Sequence, residues 1–187
     1  MIKLIEMKYN LENIDFYKKL YNDAFPKEER WSFDMILENK GNNNYRLYAV
    51  LDDNTPIGLT MIWYLDNFNF GEYLAIDKKV RGKKYGSEVL TKILDMLKDK
   101  LIVIEVEPYE LNETAQKRIE WYKRFGFILA DYEYDMPSLD ENNKISSIKM
   151  KIMTSRKLKN KEEHDNITKT LYNTIYKPRL DEVDKWK

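Results

Sequence analysis

The sequence predicts an α/β protein with a mixed, mostly antiparallel sheet, flanked by helices and followed by a C-terminal helical extension. Three observations predict this fold. Three strand-like segments follow one another between Tyr45 and Ile76, as in an antiparallel meander. A helical pattern over 85–97 then leads into the apolar strand LIVIEVE, and such a strand–helix–strand unit requires the fourth and fifth strands to pair in parallel. After Thr154 the chain becomes charged and helical.

Composition narrows the classes of function. The 187 residues suffice for one domain, expected over 1–153, with an appendage over 154–187. Equal numbers of basic and acidic residues, 32 each, argue against a nucleic-acid binder. The lack of cysteine and the single histidine, His164, predict no metal site. No apolar run reaches membrane-spanning length and the charged opening is too short for a signal peptide, so we expect a cytosolic protein without a membrane partner.

The first elements alternate between strand and helix patterns. Residues 2–7 form a short apolar-rich strand. A helix is then predicted by apolar residues at positions 11, 14, 17, 20, 21 and 25. Pro26 breaks that pattern, and the stretch from Pro26 to Gly41 has a proline at its start, acids behind it and a glycine at its end. These signals predict a second helix over that stretch.

The remaining elements follow from similar signals. Two strands surround the turn DDNTP, and a third runs from Phe68 to Ile76. After the βαβ unit, a helix is expected from Asn112 to Phe125, with Gly126 as its C-terminal cap. The strands FILADYEYDM and ISSIKMKIM are joined by the polar loop PSLDENNK. A charged connector, SRKLKNKEEHDN, then leads to the amphipathic helix ITKTLYNTIY, which either packs on the body or binds a partner.

The turn before the long helix has the composition of an anion site. The stretch DKKVRGKKYGSEVL puts two glycines and several cations ahead of a helix N-terminus, whose unpaired N–H groups carry partial positive charge. We interpret it as a cradle for a phosphate or pyrophosphate; the alternative is a solvated basic turn. It matches neither the P-loop nor the G-x-G-x-x-G pattern. The cradle residues are Arg81, Gly82, Lys83, Lys84, Tyr85, Gly86 and Ser87.

A longer stretch around this turn, LAIDKKVRGKKYGSEVL, resembles the acetyl-CoA motif of the GNAT acetyltransferase superfamily. In that motif an apolar strand and a turn lead into Q/R-x-x-G-x-G/A at the start of a helix. Arg81 fills the first position and Gly86 the last. Lys84 replaces the usual middle glycine, and a lysine held at positive φ there costs about 1 kcal/mol.

A second stretch, RIEWYKRFGF, resembles the family's later motif, in which a helix carrying a tyrosine and ending at Gly-Phe follows the fifth strand. The order of elements from Lys3 to Met153 also resembles that of the family. Many members carry an asparagine that contacts the cofactor where this chain has Ala115. Asn112 comes three residues earlier and is kept as a candidate cofactor contact.

The resemblance implies direct transfer of an acetyl group from acetyl-CoA to a primary amine in a ternary complex. The glycine turn would hold the diphosphate. A backbone N–H near Leu74, Ala75 or Ile76, freed by a bulge, would polarise the thioester carbonyl, an interaction worth about 3 kcal/mol. Tyr122 would protonate the departing CoA thiolate; the alternative is that Tyr122 packs in the core, since its spacing from Ile119 also fits a buried helix face.

The general base is expected among three glutamates. Glu105 and Glu107 alternate with apolar residues on the fifth strand, so they share a face near its C-terminal end. Their proximity would raise one pKa toward neutrality. They alternatively face solvent or pair with Arg118 or Arg124. Glu72 on the fourth strand is a rival base.

The acceptor site of the family usually lies at the first two helices and the last strands. An acidic and aromatic mouth there would attract a cationic amine; the alternative for its two glutamates is that they complement the N-terminus of the second helix. Its residues are Phe25, Glu28, Glu29, Trp31, Tyr132 and Tyr134. The sequence leaves the acceptor unnamed, allows a monomer or a homodimer, and keeps open a non-catalytic acyl-CoA sensor or an interaction module with this fold.

Overall fold

The structure is a computed structural model that describes residues 1–7, 12–39, 42–80, 82–140 and 142–185. These residues form two compact units. The first contains Met1–Pro26 and Ser32–Ile104, and the second contains Lys27–Trp31 and the chain from Glu105 onward.

The first unit contains the predicted meander and the βαβ unit. Its strands are β1 (Ile2–Glu6), β2 (Tyr45–Asp52), β3 (Thr55–Tyr64), β4 (Phe68–Ile76) and most of β5 (Leu101–Val106). Its helices are α1 (Ile14–Ala24), α2 (Phe33–Glu38) and α3 (Tyr85–Leu97). The first four strands pair antiparallel in sequence order, and β4 pairs parallel with β5, which confirms the mixed sheet. The first predicted helix also included Leu11, which lies outside the described residues.

The second unit contains the last strands and the C-terminal helices. It comprises α4 (Glu113–Lys123), β6 (Ile128–Leu139), β7 (Ile145–Thr154), α5 (Lys161–Leu171), a π-helical turn (Tyr172–Tyr176) and α6 (Lys177–Lys185). Through β5, the described strands take the order β1-β2-β3-β4-β5-β7-β6 in one seven-stranded sheet. In the described part of the chain, no helix is both long and apolar enough to span a membrane.

The bulge in β4 lies at Glu72, so the expectation of a bulge over Leu74–Ile76 is wrong. Consecutive residues of β3 pair with Gly71 and Tyr73, which leaves Glu72 as the extra residue. Glycine often marks such a site because it has no side chain to pack. Pairing of β4 with β5 also ends at Gly71. Among the described strand pairs, residues 73–76 therefore pair only with β3.

The single helix predicted from Pro26 to Gly41 is also wrong. A 3₁₀ turn occupies Lys27–Glu29, and α2 begins only at Phe33, where the Ser32 hydroxyl accepts a hydrogen bond from the Met35 N–H at 3.3 Å. A serine whose side chain accepts from the N3 amide in this way is the N-cap of the helix and marks its start. Gly41 lies outside the described residues.

Two predicted boundaries near the C-terminus move as well. β6 continues through Pro137 to Leu139, so the loop predicted over PSLDENNK is shorter than expected. Helix α5 begins at Lys161, inside the predicted connector, because the Asn160 side chain accepts a hydrogen bond from the Glu163 N–H at 3.0 Å. The amphipathic segment predicted as one short helix is the end of α5 and the π-helical turn.

Candidate active site

The turn before α3 has the backbone that an anion cradle needs. Gly82 has φ of +88° and Lys84 has φ of +62°. No side chain caps the N-terminus of α3 at Lys84. A Cβ atom added to Gly82 would meet nothing within 4 Å, so the turn is open. The sequence-predicted residues 82–87 therefore surround one exposed helix N-terminus, whereas Arg81 lies outside the described residues.

Lys84 is expected to carry backbone strain because it takes a left-handed conformation that favours glycine. Replacing Lys84 with glycine should remove this strain. Lys83→Gly is the matched control, since Lys83 is outside the positive-φ positions. Both changes remove a lysine and add the unfolded-state freedom of a glycine. The unfolding free energy of Lys84→Gly should exceed that of Lys83→Gly by about 1–2 kcal/mol in urea titrations; equal values would contradict a strained Lys84.

Tyr85 anchors the cradle to the meander. Its hydroxyl donates to Asp52 Oδ2 at 2.5 Å, at the end of β2. The N-terminal ammonium group lies 3.1 Å from Asp52 Oδ1. The tyrosine hydrogen bond, followed by that of the ammonium group, lowers the pKa of Asp52. Tyr85 therefore fixes the start of α3, and its hydroxyl is already engaged.

The end of β4 lies directly before this turn. Ala75 is buried, Leu74 and Ile76 are half-buried, and all three lie beyond the last residue of β4 that pairs with β5. A cavity of about 240 Å³ lies between this strand end and α1. Its lining includes Phe16, Leu20 and Ala24 of α1 and the segment Ile76–Lys79. The strand end thus borders open space on its approach to the cradle.

Tyr122 lies near the end of α4, and its ring packs against two other aromatic rings. The ring is half-buried, 4.9 Å from Trp121 and 5.5 Å from Phe127 between ring centroids. Among the described residues the hydroxyl makes no hydrogen bond. Burial raises the pKa of Tyr122 above its ordinary value, opposed in part by Arg118. The side chain therefore combines a fixed ring with a hydroxyl that keeps its proton.

Asn112 has a structural role at the start of α4. Its Oδ1 accepts a hydrogen bond from the Ala115 N–H at 2.9 Å, so Asn112 is the N-cap of the helix. Ala115 is 1% exposed. The side-chain oxygen of Asn112 therefore already has a structural partner, and its contact with a cofactor stays a prediction.

Glu105 is held by two tyrosine hydroxyls. Tyr176, from the π-helical turn, donates within 2.6 Å of both carboxylate oxygens, and Tyr134 of β6 donates to Oε1. Tyr176 is 2% exposed. Two hydroxyl donors therefore engage the Glu105 carboxylate.

Glu107 belongs to a different cluster from Glu105. Arg118 donates to Glu107 Oε2, so of the two arginines considered as partners, Arg118 is the one that pairs. Glu29, in the 3₁₀ turn, lies close enough to Glu107 to be affected by its charge. Burial and then the charge of Glu107 raise the pKa of Glu29 to about 7, with Arg118 acting in the opposite direction. Glu29, which was assigned to the acceptor mouth, is therefore a carboxyl whose pKa moves toward neutrality.

Glu72, the third candidate base, is the bulged residue of β4 in the first unit. Its Oε2 accepts a hydrogen bond from the Trp63 indole N–H at 2.8 Å. The Trp63 ring is 1% exposed, so this bond satisfies a buried donor. Glu72 thus has a structural partner that a mobile base would have to give up.

The residues predicted to form the acceptor mouth lie in both units, Phe25 in the first and the others in the second. In the first unit, the Phe25 ring lies 4.7 Å from Tyr73. In the second, buried Trp31 stacks on Tyr176 at 6.5 Å, and Tyr132 contacts His164 at 5.3 Å. Glu28, Glu29 and Tyr134 also belong to the second unit.

Sequence analysis missed Tyr176 entirely. Tyr176 contacts a carboxylate 71 positions away, at the end of a helix assigned only to packing or partner binding. The one available signal was the spacing of Leu171, Ile175 and Tyr176, which predicts a buried helix face and names no partner.

The mixed sheet, its parallel pair and the open turn before α3 define the class of protein, an α/β fold with a helix N-terminus suited to an anionic ligand. Sequence comparison gives the family. The model of the acetyltransferase (GNAT) family matches residues 5–127, and the chain belongs to this family.

Individual relatives agree with this assignment. "Putative acetyltransferase YjbC" from Bacillus subtilis is 29% identical over 118 residues, which span 61% of this chain and 57% of that protein. A solved GNAT-family structure from Bacteroides thetaiotaomicron is 27% identical, with a TM-score of 0.80, and the match covers 94% of this chain and 98% of that one. A GNAT acetyltransferase from Elizabethkingia anophelis, solved with acetyl-CoA, shares the fold at 16% identity, with a TM-score of 0.57 over 83% of this chain and 98% of that one.

Proposed function

We propose that this protein transfers the acetyl group of acetyl-CoA to a primary amine. One observation carries the proposal: in a member of the acetyltransferase family, the turn before α3 holds positive φ at both Gly82 and Lys84. That backbone leaves the helix N-terminus open toward an anion.

The cradle fits the diphosphate of acetyl-CoA. Its exposed lysines, Lys83 and Lys84, add positive charge to the helix N-terminus, and the open space above Gly82 admits a phosphate group close to the backbone. The Elizabethkingia relative binds acetyl-CoA in a protein of the same fold, which supports the same co-substrate here.

The reaction can be written with every proton accounted for. A base removes a proton from the acceptor ammonium, and the nitrogen lone pair forms a C–N bond with the thioester carbon. Backbone N–H donors at the end of β4 would stabilise the resulting oxyanion. The C–S bond then breaks as the carbonyl re-forms. The Tyr122 hydroxyl gives its proton to the CoA sulfur and regains one from the acetylated nitrogen, so the products are the amide, free CoA and one proton on the base.

The placement of acetyl-CoA at the cradle predicts the effect of Gly86→Val. The added side chain stands in the first turn of α3, where it should block a diphosphate, while glycine and valine differ little in helix propensity. The dissociation constant for acetyl-CoA, measured by calorimetry, should rise at least tenfold. Thr91→Val places the same residue type at an exposed position further along α3 and should bind normally. Unchanged affinity in a folded Gly86→Val protein would contradict this placement.

An assay of thiol release separates the enzyme from an acyl-CoA sensor. Acetyl-CoA is incubated with polyamine, aminoglycoside, amino-acid and peptide amines, and free CoA is measured. Acetyltransferase activity predicts amine-dependent release of CoA. Tight acetyl-CoA binding without release in any arm would favour the sensor.

A further inference from the structure

The open N-terminus of α3 has two backbone donors without a partner among the described residues. The carbonyl oxygen of Lys84 accepts hydrogen bonds from the N–H groups of Ser87 and Glu88, at 3.0 and 3.1 Å. The N–H groups of Tyr85 and Gly86 make no hydrogen bond in the part of the chain that the structure describes. These two amides are therefore the donors that the first turn of α3 offers to an anion.

The conformation of this turn needs support from outside the helix. Lys84 is the N-cap residue, but it takes a left-handed conformation and its side chain makes no capping hydrogen bond. Strained backbone of this kind persists where the surrounding structure fixes it. Gly82, on the other side of the turn, also has positive φ and is open to its surroundings. Support is therefore expected from the helix side, where Tyr85 follows Lys84.

Tyr85 is tied to a fixed part of the sheet. Its hydroxyl donates to Asp52 Oδ2 at 2.5 Å. Asp52 is the last residue of β2 and pairs with Ile2 of β1 and with Thr55 of β3, so its backbone is held on both sides. The bond joins the start of α3 to the hairpin of β2 and β3. It therefore holds in place the residue that carries one of the two open amides.

The charge state of Asp52 suits it to this role. The hydrogen bond from Tyr85 is the largest of the effects that hold the pKa of Asp52 below its ordinary value. Asp52 is therefore a carboxylate at neutral pH. A hydroxyl that donates to a carboxylate makes a stronger bond than one that donates to a neutral group. The bond is thus present at the pH at which the cradle would bind its ligand.

We propose that Asp52 is a positioning residue for the co-substrate: through Tyr85 it holds the open N–H groups of α3 where they bind the diphosphate of acetyl-CoA. The inference rests on the proposed function. It assigns a binding role to the end of β2, outside the glycine turn. A residue that acts in this way changes the affinity for acetyl-CoA and leaves the chemical step at the thioester intact.

The test is calorimetric titration of acetyl-CoA into folded variants, which needs no amine acceptor. Tyr85→Phe keeps the ring and removes the hydroxyl. Its dissociation constant should rise about tenfold, as expected for the loss of one hydrogen bond to a charged group. Tyr172→Phe is the matched control, since Tyr172 lies in the π-helical turn, is 43% exposed and should not affect binding. An unchanged constant in folded Tyr85→Phe protein overturns the proposal.

Two substitutions at Asp52 distinguish a hydrogen bond from a charge. Asp52→Ala removes the acceptor and should weaken binding about as much as Tyr85→Phe does. Asp52→Asn removes the same charge but keeps a side-chain oxygen that can accept from the hydroxyl, so it should keep most of the wild-type affinity. Combining Asp52→Ala with Tyr85→Phe should add little to either single change. Equal losses for Asp52→Ala and Asp52→Asn would show that the charge is what matters, which contradicts positioning through the hydrogen bond.

Steady-state kinetics gives a readout that a merely structural role would not move. With the best amine from the thiol-release assay, Tyr85→Phe should raise KM for acetyl-CoA about tenfold while kcat at saturating acetyl-CoA stays the same. This split is expected because the lost bond serves binding of the diphosphate, which is far from the bonds that form and break. A lower kcat with an unchanged KM would refute the positioning role.

The outcomes separate this inference from the proposed function. Wild-type protein that binds acetyl-CoA, with Tyr85 and Asp52 variants that bind it equally well, overturns the role of Asp52 alone. Wild-type protein that does not bind acetyl-CoA overturns the proposed function and this inference together. If acetyl-CoA binds but no amine releases CoA, the proposed transfer is overturned, and the calorimetric comparison still decides the role of Asp52.

Discussion

Tyr122→Phe is expected to lower kcat by a factor of about 100 or more, with little change in the melting temperature or in acetyl-CoA affinity. The ring should stay in place because its contacts with Trp121 and Phe127 do not involve the hydroxyl. The lost group is the hydroxyl, which has no hydrogen-bond partner among the described residues. A donor acts when negative charge develops on sulfur, so its removal should affect the chemical step and leave ground-state binding intact.

The pKa of Tyr122 supports this role as a proton donor. Burial raises it above the ordinary value of 10.0, so the hydroxyl keeps its proton throughout the neutral range. Tyr109→Phe removes the hydroxyl of a tyrosine that is 38% exposed and serves as the matched control. Single-turnover rates should be compared, so that the chemical step is observed. Equal rates for wild-type and Tyr122→Phe proteins would mean that Tyr122 contributes only to core packing.

The fold was predictable where local signals agree. The bounds predicted for β4, Phe68 to Ile76, are those of the structure, because turn residues delimit a run of strand-forming residues there. The helix predicted from Pro26 failed since the burial of Trp31 and the Ser32 cap outweigh the proline signal. The end of β6 was missed because Pro137 normally ends a strand; here β6 is last in the sheet order, and an edge strand tolerates a residue that lacks an N–H group.

The candidate site was predictable in its cradle and much less so in its acids and bases. A glycine turn and a helix start are neighbours in sequence, so their motif contains the geometry. The partners of a carboxylate come from distant positions. Ser138 fixes the turn that carries Glu29 from 110 residues away. Alternation along β5 placed Glu105 and Glu107 on one face and gave no means to know that tyrosines would hold one and an arginine the other.

Gly58→Ala is expected to destabilise the protein by about 2–3 kcal/mol. A Cβ atom at Gly58 of β3 would lie 2.5 Å from the Ala75 carbonyl oxygen and 2.7 Å from Ile76 Cδ1. The Ile76 side chain can rotate, but the carbonyl belongs to the backbone of β4 and can move only with the strand. Glycine at this position therefore permits the close approach of β3 to the end of β4.

The same change should also impair the proposed reaction, because the displaced backbone is the segment proposed to bind the thioester carbonyl. Gly71→Ala is the matched control. Its Cβ would lie 3.3 Å from the Ile104 Cγ2 atom, a side-chain contact that relaxes with a small shift, and 4.0 Å from the Val103 carbonyl oxygen, an ordinary van der Waals contact. We expect the urea midpoint and kcat to fall clearly for Gly58→Ala and by much less for Gly71→Ala. If the two variants lose equal stability, the close approach at Ala75 is not what requires glycine. If kcat is unchanged in folded Gly58→Ala protein, the end of β4 does not hold the reacting carbonyl.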